Sequence, residues 1–172
     1  VGQTGTILTS PDGENWTSQT SSVSNIVLRN VCYEKSMFIA VGDSGTILTS
    51  PDGENWTSQT SGVDVSLNDI TYSEKLDLFV AVGNTITILT SKNGTNWTKI
   101  QPAQMNVTLK GVTYSEKLGL FVVVGSSGTL IKSNNGVNWT VTTLSPNNKS
   151  YNQITYSEKL GSFVVVGESG II

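Results

Sequence analysis

The chain has no histidine, a single cysteine (Cys32) and a single arginine (Arg29) among its 172 residues. Without histidine, neither a Ser-His-Asp nor a Cys-His arrangement can be assembled. One cysteine forbids an intramolecular disulfide, so pairing gives no reading of the redox compartment. Charged residues make up only 13% of the chain and the net charge is −3. That is a poor match for nucleic acid, whose phosphates are neutralised by clustered Lys and Arg. Long apolar runs are also missing: stretches such as residues 120–124 are far too short to span a membrane. No signal peptide is visible, and the chain begins at Val1 rather than Met, which leaves the N-terminus open. No metal-ligating or cofactor-binding set is visible, so none is expected.

What is present is 37% apolar residues in a background of Ser, Thr, Asn and Gly. Low charge at that hydrophobicity argues for a β-rich globule rather than disorder. The length suits one domain, residues 1–172, with a sizeable core. One heptad occurs four times: Ser10-Pro11-Asp12-Gly13-Glu14-Asn15-Trp16, residues 50–56, 91–97 and 133–139. Its tryptophans, Trp16, Trp56, Trp97 and Trp139, are spaced 40, 41 and 42 residues apart and are the only four in the chain. A second landmark recurs with them, a tyrosine, a Glu-Lys turn, an apolar run and Val-Gly, at residues 33–42, 72–83, 114–125 and 156–167. A period near 40 with several short strands per unit is that of a β-propeller. The expected fold is all-β, a propeller or partial propeller of four-stranded antiparallel blades.

Each unit reads as four strands. Strand A is residues 67–72 in the second landmark, strand B residues 78–82, strand C residues 85–90, and strand D starts at Trp97. β-branched and aromatic residues fill these runs, and Gly, Asn and Asp punctuate them. Strand B is apolar at successive positions, the pattern of a strand covered on both faces. Strand D turns polar after its tryptophan, as suits an outer edge. No stretch has a helical period.

The heptad occupies the C–D turn. Asp12 and Asp52 can accept backbone N–H bonds across it, with help from Ser10 and Ser50. Gly13, Gly53, Gly94 and Gly136 supply a positive φ without steric cost. The tryptophan then closes over the turn and buries apolar area. In the later copies Ser91 and Ser133 remain while Asn93 and Asn135 replace the aspartates. Asparagine keeps the acceptor oxygen and drops the charge, so calcium held by all four turns is not expected.

On these residues the chain resembles the Asp-box of BNR-type repeats, in a form one residue shorter than the sialidase version. The whole repeat resembles bacterial BNR-like and photosystem II assembly-factor-like propeller proteins. The resemblance implies a structural, non-catalytic Asp-box on the C–D turn, away from the functional face. Sialidases bind a substrate carboxylate with three arginines, and Arg29 stands alone here. The assembly factors bind through an arginine-rich surface, which this chain lacks as well. Glycoside hydrolysis needs two suitably spaced carboxylates. Glu34, Glu74, Glu116 and Glu158 sit beside lysines and read as solvated turn charges. Asp69 is the one acid inside a strand A, facing the central channel or a neighbouring blade. Cys32 stands where other repeats have Thr71, Thr113 and Thr155 and reads as a small core residue. No enzymatic activity is expected.

The four repeats differ most in the D–A connections, residues 18–25, 58–66, 99–108 and 141–151, and at one or two positions of the B–C turns. Both emerge on one face, and loops on a rigid scaffold are where function usually lies. Asp43, Asp64, Asn84, Gln104, Asn106, Asn147, Asn148, Tyr151 and Glu168 are the candidate ligand-binding residues there. They suit a glycan or a polar peptide. The expected function is a non-catalytic recognition or scaffold module of a larger extracellular, cell-surface or phage-surface protein. The alternatives are a glycan-processing propeller with catalytic residues partly outside this chain, and a recently amplified or engineered repeat without an evolved ligand; residues 10–21 and 50–61 are identical. The strand pair 151–167 has no C–D pair of its own and is expected to complete the blade begun by residues 1–20, or to associate with another copy through its open edge.

Overall fold

A computed structural model describes residues 1–102, 106–143, 149–170 and 172. Among the described residues sixteen strands, all paired antiparallel, fall into five sheets. A two-stranded sheet, β1 (Ile7–Thr9) and β2 (Thr17–Gln19), comes first. Three four-stranded blades follow in strict chain order. They are β3 (Leu28–Glu34), β4 (Met37–Gly42), β5 (Ile47–Ser50) and β6 (Thr57–Gln59); β7 (Leu67–Ser73), β8 (Leu78–Gly83), β9 (Ile88–Ser91) and β10 (Thr98–Ile100); and β11 (Leu109–Ser115), β12 (Leu120–Gly125), β13 (Thr129–Ser133) and β14 (Thr140–Thr143). The last sheet is again a pair, β15 (Tyr151–Ser157) and β16 (Ser162–Gly167). These are β-propeller blades. Among the described residues no helix is long and apolar enough to cross a membrane.

The core lies between blades rather than inside them. Ile39, Val41 and Ile47 of the first whole blade pack on Leu67, Ile70, Phe79 and Leu89 of the second. Val80, Val82 and Ile88 of the second pack in turn on Leu109, Val112, Phe121 and Ile131 of the third. Strand B is therefore covered on both faces: β8 and β12 are buried at every position but the first. β16 shows what happens without a following blade, alternating between exposed and half-buried.

Strand C begins later than the sequence suggested. Thr85 and Ile86 both have φ near +53 and form a turn, closed by the Thr87 N–H donating to the Asn84 carbonyl, so β9 starts at Ile88. The same two-residue turn, with both central φ values positive, joins strands B and C at Ser44-Gly45 and Ser127-Gly128. It is the type I′ geometry, whose twist matches that of the strands it joins.

The heptads form as the chemistry dictates. In the copy at residues 50–56, Asp52 Oδ1 accepts the N–H groups of Glu54 at 2.9 Å and Asn55 at 2.8 Å, while Ser50 Oγ accepts that of Gly53 at 2.8 Å. The Trp56 indole N–H donates to the Gly53 carbonyl at 2.9 Å. Asn93 and Asn135 repeat the carboxylate's backbone bonds with an amide oxygen. The Asn15 and Asn55 donors hold Asp12 and Asp52 well below the ordinary carboxyl range.

Each whole blade also carries an aromatic triad. Tyr33–Phe38–Trp56, Tyr72–Phe79–Trp97 and Tyr114–Phe121–Trp139 stack with centroid spacings of 4.4–4.6 Å and then 6.0–6.5 Å. Burial of the tryptophans is less uniform than expected. Trp56 is buried, Trp97 and Trp139 are half-buried, and Trp16 is 58% exposed because β1–β2 has no strand B to bring it a phenylalanine.

The turn glutamates are not simply solvated. Glu116 accepts the backbone N–H groups of Glu74 and Lys75 from the preceding blade, and Glu158 does the same for Glu116 and Lys117. Lys35 Nζ bridges Asp77 Oδ1 at 2.6 Å and the Lys92 carbonyl at 3.0 Å. These bonds lock neighbouring blades at the A–B end.

Candidate functional site

Every strand A carries a bulge at its start. Pairing slips between Leu28 and Asn30, Leu67 and Asp69, Leu109 and Gly111, and Tyr151 and Gln153. The skipped residues are Arg29, Asn68, Lys110 and Asn152, and a bulge re-aims the side chain it frees from the ladder. Beside them stand the first residues of the B–C turns, Asp43, Asn84 and Glu168. These turns are held to the start of strand A by the Asp43 N–H on the Val27 carbonyl, Asn84 on Ser66 and Glu168 on Ser150, each at 2.9 Å.

The two sets meet. Arg29 Nε donates to Asp43 Oδ1 at 2.6 Å, which pulls the Asp43 carboxyl below its ordinary range. Asn68 Nδ2 donates to Asn84 Oδ1 at 3.1 Å and, across the blade boundary, to the Leu109 carbonyl at 2.7 Å. Lys110 Nζ donates to Asn152 Oδ1 at 2.8 Å and lies 3.8 Å from Glu168 Oε1. Val27, Arg29, Asn68, Asn84, Thr108 and Lys110 line a cavity of about 650 Å³. It presents two cations, two amides and a threonine hydroxyl, a set that can grip a polar ligand by donors and acceptors together.

Of the residues expected to bind ligand, Asn84 lines this cavity, and Asp43 and Glu168 hold its cations. Asp64 lines a separate cavity of about 530 Å³ with Ser44 and Gly62. Asn106 is exposed. Tyr151 does not belong to the surface: at 4% exposure it is packed with Val122, Val124 and Ile154, because it opens β15 at the position of Leu28, Leu67 and Leu109. Gln104, Asn147 and Asn148 lie outside the described residues. The sequence reading missed Arg29, Asn68, Lys110 and Asn152. Their signal was a polar residue second in every strand A, directly after a large apolar one. The heptads sit at the opposite end of strand C from this cluster, since C–D and B–C turns flank the same strand.

Asp69, third in its strand A, is 4% exposed and faces its neighbours. Its Oδ1 accepts from Asn30 Nδ2 of the preceding blade at 2.6 Å and from the Ile70 N–H at 2.9 Å. Its Oδ2 accepts the Val112 N–H of the following blade at 2.8 Å, and Gln153 adds a further donor. Gly111 leaves room for this: a Cβ there would stand 2.7 Å from Gln153 Oε1. Burial pushes the carboxyl up to about 6 from 3.8, in spite of these donors. A raised acid holds its proton more tightly in the folded chain than in the unfolded one. Its contribution is thus complete below pH 3.8 and lost as pH rises through about 6. Urea denaturation should show stability falling by about 3 kcal/mol between pH 4 and pH 6.5. Asp69→Asn should flatten that slope, while the depressed Asp12, Asp43, Asp52 and Asp77 act only at lower pH. The Cys32 thiol, half-buried and free, is pushed up to about 12 by burial and is no nucleophile at neutral pH.

No protein family and no curated protein sequence matches the chain. Solved structures do. YCF48 bound to D1 peptide superposes with a TM-score of 0.71 at 18% identity, over 97% of this chain and 55% of that one. An ancestral GH74 enzyme gives 0.76 at 13% identity, over 98% of this chain and 28% of its own. YCF48 from Cyanidioschyzon merolae gives 0.65 at 17%, over 99% and 60%. At such identities the likeness is one of fold, and the chain spans less than two thirds of each of these proteins.

Proposed function

We propose that the protein is a non-catalytic recognition module that binds an extended polar ligand, a peptide in the first instance, across the face bearing the D–A and B–C connections. The carrying observation is the bulge-built cluster: four equivalent positions, Arg29, Asn68, Lys110 and Asn152, are delivered to one end of the inner strands beside variable turn residues. Varying the side chain at one bulge position is how a repeat scaffold changes its ligand without changing its blades. A protein ligand is supported by the fold likeness to a propeller seen with a bound peptide. The heptads act as structural Asp-boxes, a reading supported by the hydrogen bonds of their Ser, Asp or Asn and Trp side chains staying within their own turns.

The second reading is glycan processing, favoured by the likeness to a GH74 enzyme. It requires a pair of carboxylates facing a substrate. Asp43 and Glu168 are each engaged by a cation, and Asp69 is enclosed by donors from three other residues besides its own neighbour. Probing the chain with a peptide array, a glycan array and chromogenic glycosides tests both. Binding should be lost at least tenfold in Arg29→Glu/Lys110→Glu, with no glycoside turnover by either chain. Turnover, or binding indifferent to the double change, overturns the proposal.

A further inference from the structure

The A–B turn of the second whole blade holds a carboxylate that the third lacks. Asp77 Oδ1 accepts at 2.6 Å from Lys35 Nζ of the preceding blade and at 2.6 Å from the Tyr72 hydroxyl of its own strand A. A cation and a phenol converging on one oxygen keep that carboxyl below its ordinary range. In the third blade every partner returns except the acid. Lys75 is again the lysine of the preceding Glu-Lys turn, Tyr114 stands where Tyr72 stood, and Gly119 takes the place of Asp77. A Cβ on Gly119 would stand 3.3 Å from Lys75 Nζ and 3.9 Å from Tyr114 Oη, so both donors still face the place of the missing side chain. Gly119 has φ +61° and Asp77 +51°, so the turn keeps one conformation. Gly161 repeats the arrangement more loosely, with Lys117 Nζ at 3.8 Å and Tyr156 Oη at 3.9 Å from such a Cβ.

The phenol is the deciding observation. Tyr114 is only 9% exposed, and its hydroxyl is enclosed without a hydrogen-bond partner among the described residues. A buried hydroxyl is rarely left so, because the water it gave up goes unreplaced. Lys75 Nζ likewise makes no ion pair among the described residues. Glu116, on the same turn, does not serve them: its carboxylate accepts the backbone N–H groups of Glu74 and Lys75. We propose that the gap over Gly119 is a binding site for an external carboxylate, one oxygen of which is held between Lys75 Nζ and the Tyr114 hydroxyl as Asp77 is held one blade earlier. The carboxylate belongs to a small acid or to an acidic side chain of a peptide, since the opening replaces no more than an aspartyl side chain. The site lies at the A–B end, opposite the face that bears the D–A and B–C connections, and is independent of the ligand proposed there.

The test follows the tyrosine rings of the full chain by NMR, with a carbon label beside each of the five hydroxyls. Sodium acetate, compared with sodium chloride at equal ionic strength, should move the Tyr114 signal saturably and leave Tyr72 still, because Asp77 already fills that site. A glutamate residue blocked at both ends is the second probe. Saturation at a lower concentration than acetate assigns the carboxylate to a peptide side chain, and the reverse order assigns it to a small acid. Gly119→Asp places the acid in a backbone conformation that Asp77 already adopts; it should bring the Tyr114 signal to that of Tyr72 and abolish both responses. Lys75→Met should weaken them about tenfold. Asp77→Gly should open the same response at Tyr72, with circular dichroism confirming that each variant keeps its strands. A Tyr114 signal that neither probe moves, that chloride moves equally, or that still responds in Gly119→Asp overturns the proposal.

Discussion

Replacing Phe79 by alanine is expected to lower stability by about 3–5 kcal/mol, whereas Phe163→Ala should cost about 1 kcal/mol. The two residues hold the same place in strand B, and both stack on a tyrosine 4.5–4.6 Å away. Phe79 has no exposed surface and is enclosed by Ile39, Ile70 and Leu89, with the Trp97 ring 6.5 Å off. Removing its ring leaves a cavity between two blades that cannot collapse without moving β9 against β4. Phe163 is only half-buried and lies on a strand with no strand C beside it, so water fills the space at little cost. Denaturant midpoints for the two variants measure the difference. Equal losses would mean that Phe163 is enclosed as fully as Phe79.

The fold was largely legible because a forty-residue period repeats every local decision four times. The heptad, the Tyr–Glu–Lys turn and the doubly covered strand B each recur, and agreement between copies exposes the pattern that one copy would leave ambiguous. The heptad bonds could be written from Ser50, Asp52, Gly53 and Trp56 alone, since all lie within one turn. What did not show was non-local. The bulge that frees Arg29, Asn68 and Lys110 arises from pairing with strand B, and no residue type announces it; a polar side chain after Leu28, Leu67 or Leu109 is equally at home in a regular strand. Tyr151 was taken for a loop residue because its neighbours, residues 141–150, are polar, although its register equals that of Leu67. Glu116 and Glu158 looked solvated because the backbone N–H groups that donate to them sit about forty residues back, on another blade. Strand C was begun too early because Thr85 and Ile86 are good strand formers forced into a turn, a case of tertiary pairing overriding propensity.

Gly45→Ala is expected to cost more than about 3 kcal/mol, well above the ~1 kcal/mol of Gly13→Ala. Both glycines have positive φ, +67° and +80°, so backbone strain is common to the two. The difference is space. A Cβ at Gly13 meets nothing within 4 Å, while one at Gly45 would stand 2.0 Å from the Val63 carbonyl oxygen and 2.7 Å from Ser61 Oγ. Neither neighbour can retreat cheaply. The Gly45 N–H donates to the Val65 carbonyl at 2.7 Å, and Ser61 Oγ is bonded to Val63 at 3.1 Å, so the B–C turn and the D–A connection are tied face to face. Ile86 stands at the matching position of the next blade with φ +53 and its side chain buried, its N–H on the Val107 carbonyl at 2.8 Å. Positive φ alone therefore does not demand glycine in this turn; the close approach of the connecting chain does. Gly45→Ala should push the 58–66 connection away from the B–C turn, and with it the Ser44–Asp64 cavity and the Asp43 carboxylate that holds Arg29. Hydrogen exchange should register faster opening at the Gly45 amide and at Val63, with the Asp52 heptad at the far end of strand C unchanged. Protection lost equally at both ends would mean that the turn and the heptad unfold as one unit, contrary to their separation at opposite ends of strand C.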